Sequence, residues 1–181
     1  MIDIMWEFLE KLRQVERPLP EGEYFFHRND PVRSMFVVVA GSAQLIRHHR
    51  DGRPIVLQRA SAGSVLAEAS LFTSVYHCDA IATSAVVARV ISRAAIQHLF
   101  FSNQDFAKAW AVYLADEVRG ARMRAELLTL KTVSERLDAW LADKGRLPQK
   151  GGWKAIAQEI GTSPEALYRE IARRKGKALS R

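Results

Sequence analysis

Glu165 and Arg169 stand four residues apart in the run Pro164 to Arg174, PEALYREIARR, and on a helix that spacing places both on one face. They can pair with each other, or they can reach base edges. Arginine matches the guanine N7 and O6 acceptors, and a carboxylate accepts from cytosine N4. Thr162, Ser163, Ala166 and Tyr168 occupy the start of the same segment. Arg173, Arg174, Lys175 and Lys177 follow, where cations would meet phosphates. The chemistry on offer is recognition of double-stranded DNA; the plainer alternative is a helical hairpin with a solvated basic face.

What must position these residues is a pair of short helices. WKAIAQEI, Trp153 to Ile160, is joined by Gly161-Thr162-Ser163 to the second segment, and a glycine-containing turn between two short helices is helix-turn-helix grammar. Ser163 as N-cap with Pro164 at the first helical position starts the second helix. Ala157 is small where the helices would cross, and Ile156, Ile160 and Leu167 are apolar where a tri-helical core needs them. Charge agrees with this reading. Of the net charge of +7, residues 1–130 hold 15 Lys+Arg against 14 Asp+Glu, whereas residues 131–181 hold 12 against 6. A basic excess concentrated in one unit is the footprint of a polyanion partner.

Little else in the chain suggests catalysis. No nucleophile triad, phosphate loop or metal-ligand spacing is found, so neither an enzyme nor a metal site is expected. Cys78 is the single cysteine, which excludes an internal disulfide framework and an all-cysteine metal centre. Beside Asp79 its thiol is expected to be raised and inert rather than redox-sensing. His77 adjoins Cys78, but neighbours on a strand point to opposite faces, which weighs against haem held by both. His48 and His49 read as solvated near a hairpin turn, and His27 and His98 show no partner spacing.

The elements divide into three stretches. From about residue 19 to 95, short β-branched and aromatic runs (EYFFH, SMFVVVA, AQLIRHH, PIVLQRA, CDAIATSAVVARVIS) alternate with turn signals at Gly41-Ser42, Asp51-Gly52 and Ala62-Gly63. Many short strands imply a barrel or sandwich. Ile4, Phe8, Leu9 and Leu12 precede it at helical spacing. Residues 104–130 then read as one long helix, and Phe106, Ala109, Tyr113, Ala121, Ala125 and Leu128 form an apolar stripe suited to close approach of two helices. The expected units are residues 1–100, a barrel; 101–130, a dimerisation helix; and 131–181, the helix-turn-helix. In the last unit Val133, Leu137, Trp140 and Leu141 share a face before Gly145. No apolar run approaches the ~20 residues that span a bilayer, and the start lacks a basic n-region, so a cytoplasmic protein with no membrane contact is expected.

In order and content these motifs resemble the superfamily of the cyclic-AMP receptor protein and the fumarate-nitrate regulator. The resemblance is carried by EGEYFFHRNDPVRSMFVVVAGSAQL, HRDGRPIVLQRASAGSVLAEASLF, the long helix and the closing helix pair. It implies an α+β chain: a cyclic-nucleotide-binding-like β-barrel of jelly-roll type, a dimerisation helix and a C-terminal helix-turn-helix. It further implies a homodimeric transcription regulator that binds DNA and meets RNA polymerase. Glu165 and Arg169 fall where family members carry base-reading residues; Pro164 replaces a common arginine, and Glu170 a usually apolar position. The family's effector segment corresponds to Ala67, Glu68, Ala69, Ser70 and Leu71, followed by Cys78 and Asp79. Cyclic-nucleotide binders hold the phosphate with an arginine at the position of Cys78. Without that cation, and beside Asp79, cyclic AMP would lose several kcal/mol, at ~1.5–3 per charged hydrogen bond. The effector is therefore expected to be absent or different. A cupin-type barrel enzyme would need clustered His and carboxylate ligands, which the sequence lacks. A nucleotide-binding subunit acting on a protein partner is the other alternative. The closing GKALSR falls short of the family's β-wing, so a reduced DNA contact surface is expected.

Overall fold

The computed structural model describes residues 2–66 and 68–179, with side chains over 4–66 and 68–176. The chain splits into two compact units, Met1–Leu114 and Ala115–Arg181.

In the first unit, helix α1 (Ile2–Lys11) leads into strands β1 (Gln14–Leu19), β2 (Tyr24–Phe26), β3 (Ser34–Ala40), β4 (Ser42–His48), β5 (Pro54–Ser61), β6 (Val65–Leu66), β7 (Asp79–Ala82) and β8 (Val86–Ser92). They form two four-stranded antiparallel sheets, ordered β1-β8-β3-β6 and β2-β7-β4-β5. The jelly-roll expectation thus takes the form of a β-sandwich. Its core draws on both sheets, with Leu19, Met35, Val65, Leu66, Ala88 and Ile91 from one and Phe25, Phe26, Leu45, Ala80 and Ala82 from the other. β1 escapes sequence reading because it is an edge strand with charged, exposed positions and Pro18, and an edge strand tolerates the missing N–H.

Helix α2 (Arg93–Ser102) and helix α3 (Gln104–Thr129) follow β8. Phe106, Ala109, Trp110 and Tyr113 of α3 are buried in the sandwich core. The Val65 N–H donates to the Tyr113 hydroxyl at 3.1 Å. This corrects the expected stripe: Phe106, Ala109 and Tyr113 pack within their own unit, whereas Ala121, Ala125 and Leu128 are exposed. A register correction applies to α1 as well. Ile4 is 40% exposed, and Met5 and Leu9 are the buried residues, with Trp6, Phe8 and Leu12 packed beside them.

The second unit contains the end of α3, then α4 (Val133–Lys144), α5 (Trp153–Glu159) and α6 (Pro164–Leu179). Thr132 and Glu135 form a capping box at the start of α4: the Glu135 N–H donates to Thr132 Oγ1, and the Thr132 N–H donates to the Glu135 carboxylate. Leu127, Leu137, Trp140, Ile156, Ala157, Ile160, Leu167 and Ile171 make one core. Among the described residues no helix is long and apolar enough to cross a membrane.

Gly41 forms the turn between β3 and β4. It has φ +83°, and a Cβ there would lie 2.1 Å from the Ala85 carbonyl oxygen. Both the backbone conformation and the space require glycine. Gly41→Ala is expected to lower stability by roughly 2–4 kcal/mol, measured as a shift in urea midpoint; a change below about 0.5 kcal/mol would contradict the close approach.

Candidate functional site

The α5–α6 pair is built from its turn outward. α5 ends at Ile160, and Gly161 takes φ +64°. The Thr162 N–H returns to the Ala157 carbonyl at 2.9 Å. Ser163 Oγ accepts the Ala166 N–H at 3.2 Å, the capping expected from sequence. A feature that sequence reading missed secures the turn: Arg136 of α4 donates through Nη1 to the carbonyls of Ile160 (3.2 Å) and Gly161 (2.9 Å), and through Nε to Leu130 (3.0 Å). One guanidinium satisfies carbonyls at the ends of two helices, where no intrahelical donor exists. Nothing in the local sequence marks Arg136 for this role.

With Leu167 and Ile171 in the core, α6 turns Glu165, Tyr168 and Arg169 to solvent. Ala166 and Thr162 are half-buried, and Ser163 is exposed. The Glu165 carboxyl is held below its usual range by its backbone N–H at the helix start and by the Ser163 hydroxyl, with Arg169 a smaller influence. Tyr168 lies 5.7 Å from the Trp153 ring, over which the Lys175 ammonium sits at 5.4 Å. These residues form one exposed face.

Arg173 and Arg174 stand apart from it. Both pair with Glu170, whose side chain is only 10% exposed. Arg173 grips the carboxylate with Nε (2.8 Å) and Nη2 (2.7 Å), and Arg174 Nε reaches it at 2.7 Å. Arg174 also bonds Asp138 of α4 at 2.6 Å and both the carbonyl and the hydroxyl of Ser134 at 3.0 Å. Glu170, unexpected at a usually apolar position, is the carboxylate of a clamp between α6 and α4. The Arg173 bond, chiefly, pulls its carboxyl down to about 2. Arg174, expected at phosphates, has its donors engaged inside the unit.

In the first unit Glu68, Ser70, Leu71 and Cys78 are all buried, whereas Ala67 lies outside the described residues. Glu68 and Ser70 sit on a short 3-10 turn. Its end is held by the Leu71 carbonyl, which accepts from Arg93 (2.9 Å) and Gln97 (2.8 Å) of α2. Burial, with the Glu68 charge second, pushes the Cys78 thiol up to about 11; Asp79, assumed from sequence to be the cause, ranks last. The strand alternates at this point. Cys78 and Ala80 face the core, and Asp79 faces away from it, so Asp79 is not placed with the other expected pocket residues. Its carboxylate instead accepts the Arg28 N–H at 2.9 Å and lies 3.4 Å from the Nδ1 atoms of both His27 and His48. Neither histidine is therefore the unengaged residue its sequence position suggested. His77 is on the exposed side with Nδ1 3.3 Å from Ser70 Oγ, and desolvation, then the Arg47 charge, lowers its pKa. Inside, Phe26 stacks on Tyr76 at 3.7 Å and on Phe36 at 5.8 Å.

Residues 16–103, which span the strands of the sandwich from β1 to β8, match the family model of the cyclic nucleotide-binding domain. Solved structures share the fold over most of the chain. FixK2 from Bradyrhizobium japonicum superposes with a TM-score of 0.69 at 20% identity, covering 92% of this chain and 87% of that one. The c-di-GMP responsive global regulator CLP of Xanthomonas campestris gives 0.61 at 21% identity, covering 98% and 93%. TTHB099 of Thermus thermophilus, a transcriptional regulator of the CRP family, gives 0.59 at 19% identity, covering 88% and 85%. No curated protein sequence matches the chain.

Glu170→Gln is expected to cost roughly 2 kcal/mol at neutral pH, because Arg173 loses its carboxylate partner and Arg174 is left with that of Asp138 alone. A depressed folded-state pKa contributes stability above the unfolded value of 4.5 and loses it as pH falls toward about 2. The gap between wild type and variant in thermal melts should thus narrow below pH 4.5, and a gap constant from pH 7 to 2.5 would refute the clamp. Cys78, buried with its thiol near 11, is expected to react with a disulfide reagent at pH 8 only after denaturant is added; stoichiometric labelling of native protein within minutes would contradict this placement.

Proposed function

We propose that the chain is a homodimeric, cytoplasmic transcription regulator that binds double-stranded DNA through α5 and α6 and acts on RNA polymerase. The observation that carries this reading is the outward face of α6. Glu165, Tyr168 and Arg169 are exposed on a helix whose other side is locked by Leu167, Ile171 and the Glu170–Arg174 clamp, within the part of the chain that holds most of the net positive charge. A rigid helix presenting an arginine and a carboxylate suits a major groove. Arg169 and Glu165 are assigned to base edges, and Thr162, Ser163, Ala166, Tyr168 and Lys175 to the surrounding backbone. Arg173 can turn outward from Glu170 to a phosphate, while Arg174 remains with α4.

A dimer supplies the two half-sites, ~34 Å apart, that such helices require. Ala107, Ala111, Leu114, Val118, Ala121, Ala125 and Leu128 follow one another at spacings of four and three along α3. None of them is buried, with Val118 47% and Leu128 60% exposed. That is an a/d seam of a coiled coil, rich in small residues that let two helices approach. It replaces the stripe expected from sequence in the first half of the helix.

Cyclic AMP is not the effector in this reading. The position at which family members place the phosphate-binding arginine holds a buried neutral thiol, Cys78, with the Glu68 carboxylate near enough to raise its pKa. A cyclic phosphate there would meet the Glu68 charge and lack the arginine of that position, with Arg47, held on the His77 carbonyl at 3.2 Å, the cation whose charge reaches Cys78. The sandwich could take another small ligand, which would shift the balance between two arrangements of the α6 helices.

Fluorescence anisotropy against a randomised duplex pool at two salt concentrations is expected to show salt-sensitive binding, enrichment of a palindrome and no response to cyclic AMP. Arg169→Ala should weaken the selected site about tenfold or more and relax one base position. Binding in neither salt condition would overturn the proposal; nucleotide affinity without DNA affinity would favour a regulatory subunit acting on a protein. Val118→Asp should convert a dimer to monomer in analytical ultracentrifugation, and an unchanged mass would reject the seam.

A further inference from the structure

Among the described residues β5 is the terminal strand of its sheet and pairs only with β4. Three successive apolar residues on it are exposed: Ile55 at 46%, Val56 at 38% and Leu57 at 39%. Neighbours on a strand point to opposite faces, so the strand stands clear of the core on both sides there. The ladder with β4 skips Leu57, passing from Gln58 opposite Leu45 to Val56 opposite Ile46. An apolar edge of this kind templates pairing with another strand unless something covers it.

Charge selects what covers it. Residues 47–59 contain four arginines, Arg47, Arg50, Arg53 and Arg59, against one acid, Asp51. Asp51 is engaged by Arg53 and His49, and among the described residues Arg50 and Arg59 have no ion-pair partner. The rest of residues 1–114 holds 8 Lys+Arg against 10 Asp+Glu, so this hairpin is a basic region in a unit otherwise net acidic. Pairing of β5 with β5 of a second copy is disfavoured. Overlaying Ile55–Leu57 antiparallel on itself sets Arg53 opposite Arg59 at both ends, and like charges directly across a ladder repel.

We infer that the β5 edge is a docking surface for an extended acidic segment of a partner protein, which adds a fifth strand to the β2-β7-β4-β5 sheet. Main-chain hydrogen bonds supply the pairing, Ile55, Val56 and Leu57 pack on apolar side chains, and Arg53 and Arg59 meet carboxylates. The fitting segment has three apolar residues with an acid two positions beyond each end. This surface shares no residue with the α6 face, and the inference does not depend on the DNA-binding reading.

The test uses the full chain and two fluorescein-labelled peptides, ETVIVTE and KTVIVTK, in low-salt anisotropy titrations. ETVIVTE is expected to bind at least tenfold more tightly than KTVIVTK, and to slow amide hydrogen exchange across residues 54–61. The double variant Arg53→Glu/Arg59→Glu changes two exposed side chains and also removes the Arg53–Asp51 ion pair at the hairpin turn, so circular dichroism checks its fold. It should reverse the preference, binding KTVIVTK and losing ETVIVTE. Absent binding, equal affinity for the two peptides, or binding without protection of residues 54–61 would overturn the inference. Leu57→Lys in sedimentation velocity distinguishes the competing occupant: a lowered oligomeric state would make the edge a contact between copies and also overturn it.

Discussion

Phe106, Ala109, Trp110 and Tyr113 bury the first three turns of α3 in the sandwich, and the rest of the architecture depends on that burial. Two small sheets alone expose the ends of their shared core. The aromatic groups close one end through a chain of ring contacts, Phe8 on Phe106, Phe106 on Trp110, Trp110 on Tyr113 and Tyr113 on Trp6. Such pairs add ~0.5–1.5 kcal/mol each beyond their area. Because the same residues join α1 to α3, the helix is committed to a single rotational setting about its axis. Within this unit that setting leaves Ala111 exposed and Ala107 and Leu114 half-buried, with Leu114 packing against the same core. The packing of the sandwich thus decides which residues at the start of α3 reach solvent.

In the second unit, charge rather than apolar packing completes the arrangement. Apart from eight buried residues, the tri-helical core is held by Arg136 on the turn carbonyls, by the Trp140 indole donating to Glu159 at 2.7 Å, and by the Glu170 clamp. Each joins different helices. A small core supplies little stability by itself, and polar ties of this kind fix the angle of α6 at the cost of arginines that could otherwise contact a ligand. Glu170 therefore contributes to positioning: it withholds Arg174 and leaves Arg169 as the exposed arginine of the first helical turns.

Around Cys78 the alternation of the chain separates charge from core. With Cys78 inside and Asp79 outside, the buried side holds a thiol, and the carboxylate on the outer face is engaged by backbone and imidazole groups. Fold and ligand are set by different residues, so likeness of fold does not carry ligand identity with it.

By itself the sequence determined the elements governed by local rules. The β-rich stretch with its glycine turns, the long helix, the Ser163-Pro164 start of α6 and the concentration of charge after residue 130 follow from propensity, capping and count, which act within a few residues. It also pointed to the family through the order of its motifs. The tertiary structure decided the matters that depend on partners distant in sequence. Which face of α3 is buried is set by α1 and the sheets; Arg174 is claimed by Ser134 and Asp138, some 40 and 36 residues away. Asp79 turns from the expected pocket toward His27 and His48 because strand alternation fixes its direction once Cys78 is inside. β5 is an edge because, among the described residues, no strand pairs with it on the side away from β4. Periodicity reports that a residue has a face, but burial on that face is a property of what packs against it.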